Sequence, residues 1–160
     1  MKNFLFIAFL LGFGFSVKAQ HYNKYCNSVI PFCVDVPGNF VRKGESKIGS
    51  GQYFKSKDGS LLTIYGSYNT SNENLKQRID RELAALTNDS SVANSTQLPV
   101  IEKAEMQENS FIIIYQANGL TTSTYRKLEN NIWKNIELQF PVAKTPENTG
   151  SMQRMIGSWQ

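Results

Sequence analysis

The feature that most constrains this chain is a run of four apolar-rich segments, 100–107, 111–117, 120–129 and 132–140, the last three joined by two-residue breaks. The breaks are Asn118-Gly119 and Asn130-Asn131. Two-residue hairpin loops need left-handed backbone at their central positions, which Asn and Gly supply at least cost. If both breaks are such turns, register follows by counting. Ala117 then faces Leu120 and Ile112 faces Tyr125, while Glu129 faces Ile132 and Tyr125 faces Ile136. Successive side chains point to opposite faces of a sheet. One face is therefore expected to carry Ile112, Ile114, Tyr125, Ile132, Ile136, Leu138 and Phe140, and the other Phe111, Ile113, Tyr115, Leu120 and Trp133. The segment 111–115, apolar on both sides, reads as a central strand covered on both faces.

Upstream, 32–36 reads as a short strand stopped by Pro37-Gly38, and 42–52, rich in Gly, Ser and charge, as an exposed loop. Residues 52–56 and 61–68 flank Lys57-Asp58-Gly59-Ser60, a hairpin signal. Leu75, Ile79, Leu83 and Leu86 make one apolar stripe on a 3.6-residue period, so a helix is expected there. Thr70 and Glu73 have capping-box spacing ahead of it, and Lys76, Arg78, Asp80 and Arg81 fall off the stripe towards solvent. Residues 87–99 are polar and unpatterned, a surface loop. Thr145-Pro146-Glu147 starts a second helix, with Met152, Met155, Ile156 and Trp159 on its apolar side and Gly157 near its end. The order specifies an α+β domain: an antiparallel sheet of about six or seven strands covered by two helices and loops.

Residues 1–19 have the three parts of a secretory signal peptide: Lys2, an apolar run from Phe4 to Phe15, and Val17-Lys18-Ala19 before the cleavage point. The run is shorter than the ~20 residues a spanning helix needs. Residues 20–160 are then a single exported domain, periplasmic or secreted, with no transmembrane segment and expected to be monomeric. Loss of Lys2 and Lys18 halves the formal net charge of +4, which weakens the electrostatic case for nucleic-acid binding. In an oxidising compartment Cys26 and Cys33, the only cysteines, are expected to form a disulfide. A loop of that size stabilises a fold by ~2.5 kcal/mol in the chain-entropy model.

Three stretches, FCVDVPGNF at 32–40, GQYFKSKDGSLLTIYGSY at 51–68 and the closing IWKNIELQFP with its helix to Ser158-Trp159, resemble small exported bacterial proteins of the PsbP/Mog1-like group. The resemblance spans nearly the whole chain after residue 19. It implies the fold of that group and a non-catalytic role as an accessory subunit, assembly adaptor or binding module. It carries no catalytic motif.

The residue inventory agrees. His21 is the only imidazole and stands at the start of the exported chain, where it is expected to be a tail residue. General-base work needs a ring held within hydrogen-bond reach of its proton donor. One His and two Cys are too few for a zinc site or a hydrolase triad, and 44–50 lacks the Lys of a phosphate loop. No catalytic, cofactor or metal residue is assigned. Asp35, inside an apolar strand, is either outward-facing or paired. The one uneven feature is a cationic stretch: Arg42, Lys43 and Lys47, with Lys55 and Lys57 beyond, against Glu45 and Asp58. A Gly-rich loop of this charge is a candidate contact for a protein or an anionic envelope component. The functional expectation is a non-catalytic binding or accessory protein. The alternative is a small carboxylate-dependent hydrolase with a cleft between sheet and helix, marked by a buried carboxylate of raised pKa in a cavity over ~300 Å³.

Overall fold

The computed structural model describes residues 20–45, 50–88 and 98–159. The leader segment 1–19, Lys47 and most of the 87–99 stretch lie outside them. In chain order the elements are β1 (Tyr22–Asn27), β2 (Phe32–Pro37), β3 (Val41–Glu45), β4 (Gly51–Lys55), β5 (Leu61–Tyr68), α1 (Leu75–Asn88), β6 (Val100–Met106), β7 (Ser110–Ala117), β8 (Leu120–Glu129), β9 (Ile132–Pro141) and α2 (Thr145–Gly157). Seven strands form one antiparallel sheet in the order β3-β4-β5-β9-β8-β7-β6, and β1 and β2 pair separately as a hairpin. The expected antiparallel α+β architecture is what the chain adopts.

Both two-residue turns form with positive φ at every central position: Asn118 52°, Gly119 75°, Asn130 52° and Asn131 59°. Register follows the counting argument, with Ala117 opposite Leu120, Ile112 opposite Tyr125, and Tyr125 opposite Ile136. Two cores result, one on each face. Leu62, Ile64, Tyr125, Ile136, Leu138 and Phe140 pack under the β1–β2 hairpin and Met152 and Met155 of α2. Phe111, Ile113 and Trp133 pack under the α1 stripe of Leu75, Ile79, Leu83 and Leu86.

Four expectations change. First, β7 is not central: it lies between β8 and the edge strand β6. The middle of the sheet is β9, because β9 also recruits β5, a pairing that hairpin counting cannot reveal. Its neighbour β8 is buried from Thr121 to Arg126 despite a run of hydroxyls. Thr124 fits there by donating its hydroxyl to the Ile113 carbonyl, 3.3 Å away. Second, residues 41–45 are strand β3 rather than loop, laddered to β4 with a bulge around Lys43. All five residues are exposed, so no apolar pattern marks the strand. Third, α1 is capped by Asn74 and Gln77, not by Thr70 and Glu73. The Asn74 N–H donates to Gln77 Oε1 and the Gln77 N–H to Asn74 Oδ1, both at 2.9 Å. Glu73 instead binds Arg81 through two 2.8 Å contacts. Fourth, Arg78 is not solvated. Its guanidinium lies 5.2 Å from the Trp133 ring centroid, with Nε 2.8 Å from Glu82.

Candidate functional site

The sheet is unevenly covered. On the face carrying Phe111, Ile113 and Trp133, α1 packs over the β7 side. Alternation puts Tyr53, Thr63, Tyr65, Arg126, Glu137 and Tyr115 on this same face, opposite in direction to Phe54, Leu62, Ile64, Tyr125 and Ile136. Across β4 and β5 no element among the described residues covers it, and Tyr53 and Leu61 remain 48% and 44% exposed. Three adjoining cavities follow this open surface. One of about 370 Å³ lies over β4 and β5, between Tyr53, Tyr65 and Glu137. A second, about 290 Å³, runs between α1 and the sheet and shares Glu137 with the first. A third, about 220 Å³, shares Leu86 and Tyr115 with the second.

Arg126 lines the second cavity, next to the Glu137 that this cavity shares with the first. Its Nε donates to Glu82 Oε1 at 3.0 Å, its Nη1 to the Ile136 carbonyl at 3.3 Å, and its Nη2 stands 3.5 Å from Glu137 Oε2. The guanidinium also lies 5.8 Å from the Tyr65 ring centroid. Burial works against this charge, and the neighbouring carboxylates of Glu82 and Glu137 favour it. Burial pushes the phenols of Tyr65 and Tyr115 above their ordinary range, so both stay neutral donors. The result is a groove with aromatic walls and a buried Arg126, with Arg78 and Arg81 also lining it.

The residues picked out by sequence are elsewhere. Arg42 and Lys43 sit on edge strand β3, and the Arg42 guanidinium lies over Tyr25 of β1 at 5.3 Å. Arg42, Asn23, Tyr25 and Phe54 line a separate cavity of about 230 Å³ on the other side of the sheet. Lys47 lies outside the described residues. Cys26 and Cys33 are disulfide-bonded, directly opposite each other in the β1–β2 ladder. Asp35 is the paired rather than the outward alternative: it binds Arg154 of α2 at 3.1 Å and its N–H donates to Ser158 Oγ. His21 is exposed, but held at the start of β1 rather than loose in a tail. Its ring is 3.0 Å from Asn23 Oδ1 and its carbonyl accepts the Gly38 N–H. Among the described residues no three metal-ligating side chains gather.

Sequence reasoning missed the groove. Arg126 beside Lys127 reads as an ordinary polar end of a strand, and its partner Glu82 is 44 positions away. Only the spacing of Tyr53, Tyr65 and Tyr115 on one face could have hinted at it, and that needs the β5–β9 pairing.

No protein-family model and no curated protein sequence matches the chain. Solved structures do. Cyanobacterial PsbP (CyanoP) from Synechocystis sp. PCC 6803 superposes with a TM-score of 0.67 at 12% identity, over 94% of this chain and 98% of its own. The Ran-binding protein Mog1p of Saccharomyces cerevisiae does so with a TM-score of 0.62 at 9% identity, over 89% of this chain and 96% of its own. A protein of Bacteroides thetaiotaomicron reaches a TM-score of 0.52 at 15% identity, over 89% of this chain but 48% of its own. A seven-stranded antiparallel sheet with helices on opposite faces, aligned over nearly all of both chains, identifies the architecture: this protein has the PsbP/Mog1-like fold.

Proposed function

We propose that this is an exported, non-catalytic binding or accessory protein that holds a partner protein in the open groove beside α1. The observation that carries the reading is that, among the described residues, no element covers one sheet face over β4 and β5, where Tyr53 and Tyr65 line a cavity adjoining the one that holds Tyr115 and the buried Arg126. Export is supported by the apolar leader with its small-residue end and by the Cys26–Cys33 disulfide. The fold is compatible with a protein partner: one structure sharing it is, by its own description, a Ran-binding protein. Arg42 and Lys43, with Lys47, remain a second candidate contact, for an anionic envelope component.

The hydrolase alternative draws no support from the cleft. Glu137, in the larger cavity, has a side chain 43% exposed, and Glu82 is engaged by Arg78 and Arg126. The carboxyls whose titration departs clearly from the ordinary range, Asp58, Glu73 and Glu129, all move down, away from general-acid behaviour.

The test is affinity capture with the tagged exported chain from its own envelope extract, alongside a Tyr53→Asp variant and an Arg42→Glu/Lys43→Glu variant. A stoichiometric partner lost with Tyr53→Asp and kept by the β3 variant supports the groove. A partner lost only with the β3 variant moves the site to that edge. Capture of nothing, together with turnover in a hydrolase panel, overturns the reading.

A further inference from the structure

We propose that the groove recognises an extended segment of its partner with an aspartate or glutamate side chain at the middle, whose carboxylate is received by Arg126. This rests on the reading of the groove as a partner surface and adds what that surface selects.

The argument starts from an incomplete set of hydrogen bonds. The Arg126 side chain is 6% exposed. A guanidinium carries five N–H donors in a fixed fork, and burying it without acceptors is costly. Among the described residues, Nε is taken by Glu82 and Nη1 by the Ile136 carbonyl. The Nη2 side has only Glu137, at 3.5 Å. A good guanidinium–carboxylate contact has N···O distances of ~2.7–2.9 Å and is often bidentate. Glu137 extends from the rigid central strand β9 and does not reach that geometry.

The two acids also differ in how replaceable they are. Glu82, 18% exposed, is clamped by Arg78 as well as Arg126, whereas Glu137 faces the open side. Glu137 lines both the larger cavities, so it occupies their junction. It is a loosely held stand-in for a carboxylate arriving from outside, which approaches without a strand backbone fixing its angle.

The shape selects the form of that ligand. Arg126 lines the cavity that holds Tyr115 and Leu86; the Tyr53–Tyr65 cavity adjoins it across Glu137 on one side, and the third cavity continues it past Tyr115 on the other. A free small carboxylate or a chain terminus fills one side only. An acidic side chain within a continuous extended segment uses both, with its neighbours against the tyrosines.

The experiment screens acetylated, amidated heptapeptides with randomised flanks and a central Asp/Glu, Asn/Gln or Lys against the purified protein. Acid-centred peptides are expected to be retained about tenfold more tightly than amide-centred ones, the size of one charge-assisted hydrogen-bond pair. Glu137→Gln removes the competing charge and is expected to tighten acid-centred peptides several-fold while leaving amide-centred ones unchanged. The Arg126 Nε–H resonance should shift on binding. Equal retention of acid and amide, weaker binding of acid-centred peptides by Glu137→Gln, or acetate competing as well as the peptides overturns the proposal. If capture through the Tyr53 face succeeds and the acid preference is missing, this inference alone fails. If nothing is captured at that face, the functional reading fails with it.

Discussion

At Gly66 an added Cβ would stand 2.6 Å from Ile30 Cγ2 and 3.2 Å from the Phe32 ring. The missing side chain is what lets the β1–β2 hairpin lie close on β5, and both neighbours are buried with little room to move. Gly66→Ala should lower unfolding free energy by about 1–3 kcal/mol, as overpacked cores do, and urea denaturation measures it. Glu73 gives a pH signature. Its hydrogen bonds from Arg81, with the charge of Arg78, hold its carboxyl below the ordinary 4.5. The unfolded chain therefore binds this proton more readily than the folded one. Its contribution is complete above pH 4.5 and disappears as pH falls through the lowered value. Glu73→Gln should cost about 1 kcal/mol at neutral pH, and the gap to wild type should close on acidification below 4.5.

The start of α1 is decided by which side chain the helix's own Arg81 engages. The expected cap was Thr70 with Glu73; the cap that forms is Asn74 with Gln77. Arg81, two turns along, takes the Glu73 carboxylate, and Asn74 closes the cap. Asn74→Ala should cost about 1 kcal/mol and Thr70→Ala close to nothing, measured as a thermal-melt difference. The same logic sorts the strands. Register within β7–β8–β9 was legible because Asn118-Gly119 and Asn130-Asn131 admit positive φ. The helix stripes were legible because Leu75 to Leu86 and Met152 to Trp159 repeat on one face. β1 and β3 were not, because β1 buries only Tyr25 and Asn27 and β3 is exposed along its whole length, so neither carries an apolar alternation. The groove belongs with these: it depends on where α1 stops covering the sheet, which no local pattern encodes.

At the scale of the molecule, the sheet has two edges, and each is interrupted. β3 carries an extra residue at Lys43 and β6 one at Glu102, a bulge and a charge together. Such edges resist strand-to-strand association. Deleting Lys43 should straighten β3 and increase concentration-dependent association over that of the wild-type chain, measured by light scattering. With lateral pairing discouraged on both sides, contacts with other molecules are directed to the sheet surfaces.

One of those surfaces is closed by segments from opposite ends of the described chain. Gln20 donates its side-chain amide to Ser151, and Asp35 joins Arg154 and Ser158. Residues 20 and 159 thus emerge on the face turned away from the groove. A bead or dye attached next to residue 20 or 159 therefore stands across the sheet from the Tyr53–Tyr65 cavity and does not obstruct it.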